Sequence, residues 1–162
     1  MTTRTLAQTR DGYGVSTDEL PFEGMTTAAR IRWLRNEQVN CARLRRDGEQ
    51  LAYQDAVGKL YKTLREAWEG CVEEVLLNGT VERFRKSVET NRLKMVEVRH
   101  DDVAMVVENM AHCSNHAHDT PKRGDVEVPT PDEVLADIDK LEAWREELEG
   151  RKKELKRIAA RH

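Results

Sequence analysis

Fourteen residues, His112 to Asp125, read HCSNHAHDTPKRGD and hold three of the chain's five histidines, one of its three cysteines and two aspartates. Imidazoles, thiolates and carboxylates at this density suit either a metal ion or proton transfer. His112 and His116 are spaced i, i+4, so on a continuing helix both rings share a face and can reach one Zn²⁺. Cys113, His118 and Asp119 are further candidate ligands. No compact pair elsewhere completes a tetrahedral site, and histidines near a helix C-terminus ordinarily compensate the helix dipole. The sequence therefore predicts no metal and no cofactor, with His112 and His116 as the weaker metal alternative.

Proton transfer needs less. A histidine near neutral pKa can take a proton from a ribose 2′-hydroxyl when a cation beside it stabilises the charge developing on phosphorus. The segment LREAWEG supplies Arg65 and Glu69 in an R-x-x-x-E spacing. On a helix these side chains point the same way, at the edge of an apolar row that continues through Val72 and Leu76. Arg83, Arg85, Lys122 and Arg123 would hold phosphates at the rim of such a groove. The competing reading of Arg65 and Glu69 is a surface ion pair, although Arg before Glu is the weaker order for helix support. The chain has no G-x-x-x-x-G-K-[ST] and no G-x-G-x-x-G, so no nucleotide is expected to bind this chain alone. It also has no G-x-S-x-G and no H-E-x-x-H.

The elements that would position these residues are helical. Charged residues make up 35% of 162 and aromatics 5%, in long stretches rich in Ala, Glu, Lys, Leu and Arg, a balance that favours helices with solvated outer faces. Thr26 or Thr27 caps a helix running to about Asp47, with Ile31, Leu34, Cys41 and Leu44 apolar and Gly48 as its stop. A second, central helix spans about Glu49 to Leu77 and stops at Asn78-Gly79. Leu60, Leu64, Ala67, Cys71 and Val75 form its stripe, widened by Tyr61, Trp68, Val72 and Leu76. Gly58 inside it marks a kink or a close contact.

VERFRKSV reads as a short helix and RLKMVEV as a brief strand. Asp101 or Asp102 then caps a helix through VAMVVENMAHCS. The last helix opens on TPDE, with Thr130 as cap, Pro131 in the first turn and Glu133 closing a capping box. Its Val134, Ile138, Leu141, Leu148 and Leu155 make either a coiled-coil-like tail or a helix packed on the body, with Arg145 and Lys152 interrupting the seam. Near the start, TRTLAQTRDGYGVS could form a strand or hairpin about Asp11-Gly12. These signals predict an all-α bundle of about five helices with a short N-terminal hairpin. It divides into an N-terminal segment (1–24), a bundle core (25–128) and an amphipathic C-terminal helix (129–162).

The three cysteines, Cys41, Cys71 and Cys113, are far apart, which argues against a disulfide framework and for a reducing, cytoplasmic setting. No apolar run reaches membrane-spanning length and no secretory signal is visible, so no membrane partner is expected. A net charge of −3 gives no global attraction to polyanions, although a local basic patch still could.

Residues 64–98, LREAWEGCVEEVLLNGTVERFRKSVETNRLKMVEV, and residues 103–144, from VAMVVENMAHCS to DIDKLEAW, resemble the C-terminal helical region of bacterial AAA/ABC-type ATPases related to anticodon-nuclease and phage-defence ATPases. GYGVSTDELPFEG resembles the junction that follows the ATPase core in those proteins. That helical region is in turn similar to HEPN domains, many of them metal-independent RNases that use an Arg, a polar residue and a late His. The resemblance implies that Arg65 and Glu69 match the first part of that motif and His118 the last, with Asn115 as the polar residue. No Arg stands four to six residues before His118, and the phosphate loop of the ATPase core is missing.

The resemblance implies a tail without its motor. The expected function is a non-enzymatic interaction module that binds a protein partner or forms a homodimer and modulates or blocks a phage-defence complex. The alternative is a metal-independent RNase using Arg65, Glu69 and His118, with RNA as its partner.

Overall fold

The computed structural model describes residues 5–9, 12–17, 22–117 and 127–161. It is an all-α bundle preceded by a two-stranded antiparallel hairpin. Strands β1 (Thr5–Thr9) and β2 (Gly12–Thr17) pair Thr5 with Thr17 and Ala7 with Val15. Of the expected turn at Asp11-Gly12, Gly12 opens β2, and residue 11 lies outside the described residues.

Helix α1 (Thr27–Arg46) starts where the sequence places its cap. The hydroxyl of Thr26 accepts from the amide of Ala29 at 3.2 Å. Glu74, 47 residues later, adds a second cap: its carboxylate accepts from both the amide and the hydroxyl of Thr27 at 2.6 Å. The helix ends in a Schellman arrangement, with the Glu49 amide bonded to the Leu44 carbonyl, the Gly48 amide to the Arg45 carbonyl, and Gly48 at φ +76°.

Helix α2 (Gln50–Cys71) continues through a π-helical segment, Val72–Leu76, and stops at the left-handed pair Asn78 and Gly79. Gly58 is buried within it without interrupting it. α2 is the central element. It packs against α1, against α3 (His100–His116) and against α4 (Pro131–Ala159). The expected stripe from Leu60 to Leu76 is buried, apart from the half-buried Val72, and the Trp68 ring stacks on Trp144 of α4 with centroids 5.3 Å apart.

α4 is packed along the body. Its capping box forms as read, Thr130 accepting from the Glu133 amide and Glu133 from the Thr130 amide. Where Arg145 and Lys152 seemed to break the seam, the row runs one residue earlier, through buried Trp144 and the mostly buried Arg151. No described helix is long and apolar enough to cross a membrane.

Three local readings are corrected. VERFRKSV is a run of turns rather than a helix. RLKMVEV is a 3-10 helix, Thr90–Met95, followed by extended backbone, rather than a strand with a sheet to join. α3 starts one residue before Asp101, with Arg99 as its cap residue. Asp102 lies inside the first turn and accepts from the Arg99 amide at 2.8 Å.

Candidate functional site

The histidine-rich end of α3 meets α2 and α4 at one carboxylate. Asp137, in the otherwise apolar buried row of α4, accepts on Oδ2 from the Tyr61 hydroxyl at 2.6 Å and lies 2.7 Å from His112 Nε2; Lys140 approaches its Oδ1 at 3.4 Å. Burial works against the charge on Asp137, but the hydrogen bonds from Tyr61 and His112 hold its carboxyl below the usual range. Burial, and then Asp137, push the Tyr61 phenol far up, so it stays a neutral donor. An ionised carboxylate can only accept, so His112 presents Nε2–H to it and, when neutral, keeps its lone pair on Nδ1. His116 lies 4.9 Å from both the His112 and Tyr61 rings, and burial, then His112, lower its pKa.

This is an oriented imidazole with a buried carboxylate behind it, the arrangement of a general base. The nucleophilic side chain beside it is unsuited to attack: Cys113 is buried, and burial pushes its thiol up to about 12. Among the described residues no three His, Cys, Asp or Glu side chains converge on a metal position, and His112 Nε2 is engaged by Asp137.

Arg65 and Glu69 share a face of α2, as their spacing predicts, and form an ion pair with Arg65 Nε 3.7 Å from Glu69 Oε1. Glu69 is also bonded by Arg83, whose Nε donates to Glu73 at 2.6 Å. Arg85 is held between Glu82 at 2.9 Å and Glu89 at 3.7 Å. The two described cations of the expected phosphate-holding rim, Arg83 and Arg85, are thus matched by acids. His118, Lys122 and Arg123 lie outside the described residues, so the proposed meeting of Arg65 with His118 does too.

The feature the sequence reading missed is apolar. Eleven large apolar side chains are exposed among the described residues, and eight of them lie between 81 and 107: Val81, Phe84, Val88, Leu93, Val98, Val103, Met105 and Val107. α3 is inverted relative to an ordinary surface helix. Its buried residues are Asp102, Asn109 and Cys113, while Val103 and Val107 are 50% and 63% exposed. Asp102 is inward because it is paired. Arg151 Nη1 donates to it at 2.9 Å and Trp144 Nε1 at 3.1 Å. Burial alone would raise its pKa, but Arg151, the Arg99 amide and Trp144 bring it down to about 2.

A cleft of about 590 Å³ opens beside this surface, between the start of α1, the end of α2 and the turns after Gly79. Phe84, 89% exposed, stands at its mouth with Phe22 and Met25. Arg30 crosses its floor over Gly70, donating to the carbonyls of Phe22 and Glu66 with its guanidinium 5.2 Å from the Phe22 ring centroid. A Cβ on Gly70 would fall 1.8 Å from Arg30 Nη1, so only glycine leaves room for that guanidinium. The cleft's charges cancel: four arginines and four glutamates line it.

No family model matches this sequence, and comparison with the curated proteins and with the solved structures gives no match to either.

Proposed function

We propose that the chain is a non-enzymatic interaction module that docks a protein partner, or a second copy of itself, through the face carried by residues 81–107. The concentration of eight of the eleven exposed large apolar side chains in that segment carries the reading. Scattered apolar residues need no explanation, but eight within 27 residues of sequence, one of them, Phe84, lining a cleft, favour a contact surface. The ion-pair reading of the R-x-x-x-E spacing supports this: Arg65 faces Glu69, which it shares with Arg83. The likeness of residues 64–98 and 103–144 to the tails of defence-type ATPases suggests the setting. A chain resembling such a tail would occupy the surface that the tail occupies, and so modulate or block such a complex.

Photo-cross-linking tests this. A cross-linker in place of Phe84 or Val107 should capture a discrete species that the same group at Val39, exposed on α1, does not. Phe84→Glu or Val107→Glu should abolish capture from the other position while the helical circular dichroism is kept. Equal capture from all three positions would refute the module. So would RNA cleavage that persists in EDTA and is lost in both Arg65→Ala and His118→Ala.

A further inference from the structure

The net charge of −3 conceals a strong separation. Residues 81–99 and 150–161 together carry twelve of the 27 Lys and Arg but four of the 30 Asp and Glu, a net of +8, which leaves −11 on the rest of the chain. These two segments pack at one end of the bundle: a crevice is lined by Met95 and Glu97 from the first and by Arg151, Lys152 and Leu155 from the second. Burial in α4 fades beyond Leu148, and every residue from 156 to 161 is exposed.

Folding alone does not favour this arrangement. Lys152 and Lys156, Lys153 and Arg157, and Arg157 and Arg161 are i, i+4 pairs of like charge, which weaken a helix. A few cations near a C-terminus compensate the dipole, but six in twelve residues, set against a second basic element, exceed that need. Among the described residues no ion pair is made by Lys86, Lys94, Lys153, Lys156 or Arg161. By contrast Arg83 and Arg85 are each held by two glutamates.

We infer that this end of the bundle binds single-stranded nucleic acid through its phosphodiester backbone, with Lys86, Lys94, Lys153, Lys156 and Arg161 as the contacts. Lys153 and Lys156, i, i+3 neighbours on α4, and Arg161 just beyond its end at Ala159 spread solvated cations over about 12 Å at 1.5 Å per residue, a span that accommodates successive phosphates. The opposing −11 lies on the remaining surface, and screening over about 8 Å leaves the local field to decide. A lipid surface is less suited, because the last turns of α4 hold a single large exposed apolar residue, Ile158, where an interfacial helix needs an apolar face. Exposed Phe84, two residues from Lys86, gives an unpaired base a ring to stack on, which duplex bases cannot use. This inference stands on charge; it shares residues 81–99, Phe84 among them, with the docking face, and the salt dependence below reads the cations alone.

Fluorescence anisotropy of the full chain with labelled uridine and deoxythymidine oligonucleotides tests it, the two probes deciding between RNA and DNA. Saturable binding is expected, with log K falling on log salt at a slope of about −3 to −4 for five contacts at roughly −0.7 each. Lys153→Gln/Lys156→Gln/Arg161→Gln should lower that slope's magnitude by about 2, and Lys86→Gln/Lys94→Gln by about 1 to 1.5. Arg43→Gln/Arg46→Gln, at the far end of α1, should leave it unchanged. Absence of saturable binding to both probes at low salt overturns the inference, as does an unchanged slope in the triple variant with native circular dichroism. Equal competition by polyglutamate, or binding to phosphatidylserine vesicles in place of the oligonucleotides, also overturns it and assigns the end to another anion.

Discussion

Replacing Asp102 with Asn should be among the most damaging single changes in the chain, and its cost should shrink in acid. Asp102 is 3% exposed and bonded by Arg151, Trp144 and the Arg99 amide. Removing its charge leaves the Arg151 guanidinium, itself mostly buried, with only the more distant and exposed Glu147, at 3.7 Å, as counter-ion. Breaking one side of such a pair costs about 3–5 kcal/mol. The pH dependence gives an independent figure. The folded carboxyl titrates at about 2 against an ordinary value of 3.8, and at 1.36 kcal/mol per unit that difference corresponds to about 2.5 kcal/mol. A depressed folded pKa means that this stability is complete above about pH 4 and is lost as pH falls to about 2. Urea denaturation of parent and Asp102→Asn at pH 7, 4, 3 and 2 should show a gap of about 3–5 kcal/mol at neutrality that narrows by roughly 2 kcal/mol by pH 2. Asp102→Asn/Arg151→Met should recover part of the loss at pH 7, since a buried pair replaced by apolar packing costs less than one left half-broken. A gap under about 1 kcal/mol at pH 7, or one constant from pH 4 to 2, would refute the reasoning.

Three further substitutions probe separate devices in the fold. Gly48→Ala, at φ +76° with open space around a new Cβ, isolates backbone strain and should cost about 1–2 kcal/mol by chemical denaturation. Gly70→Ala should expel the Arg30 guanidinium from its carbonyl partners. In an Arg30→Ala background the same change should instead stabilise by up to about 1 kcal/mol through helix propensity, and denaturation of the four-member cycle measures the coupling. His116 should titrate below the ordinary histidine value by NMR, because burial and then His112 disfavour its charge, and His112→Gln should move it back upward.

Local signals were legible wherever the physics is local. The Thr26 cap, the Asn78-Gly79 stop and the Thr130–Glu133 capping box each depend on residues within a few positions, and each stands as read. The stripe on α2 was legible for the same reason, since one helix face needs only its own period. Residues 81–98 were not: an apolar–charged alternation there resembles a helix and a strand, yet no sheet offers partners and the turns are tied down from outside, by Glu69 and Glu73 to Arg83 and by Asn78 to the Arg92 carbonyl. Asp137 carried a readable sign, a carboxylate in an apolar row, but its partners Tyr61 and His112 stand 76 and 25 residues away. Likewise the acids opening α3 resembled caps because the reason for Asp102, the Arg151 side chain, lies 49 residues downstream.

α3 shows why the remaining part could not be read from periodicity. Val103, Val106, Val107 and Met110 form a row that the helical period alone would turn inward. Instead Asp102, Asn109 and Cys113 face the bundle, leaving Val106 and Met110 half-buried and Val103 and Val107 outward. Burying Asp102 requires three donors to offset its desolvation, and a single misplaced donor would make the arrangement worse than an apolar core. Such a network fixes the rotation of α3 about its own axis. Turning the helix to bury its valines would break Arg151 and Trp144 away from Asp102, so the apolar side stays outward at a cost in solvent exposure. A helix held with its valines outward by a buried ion pair gains by being covered, which is the physical basis on which the docking reading rests.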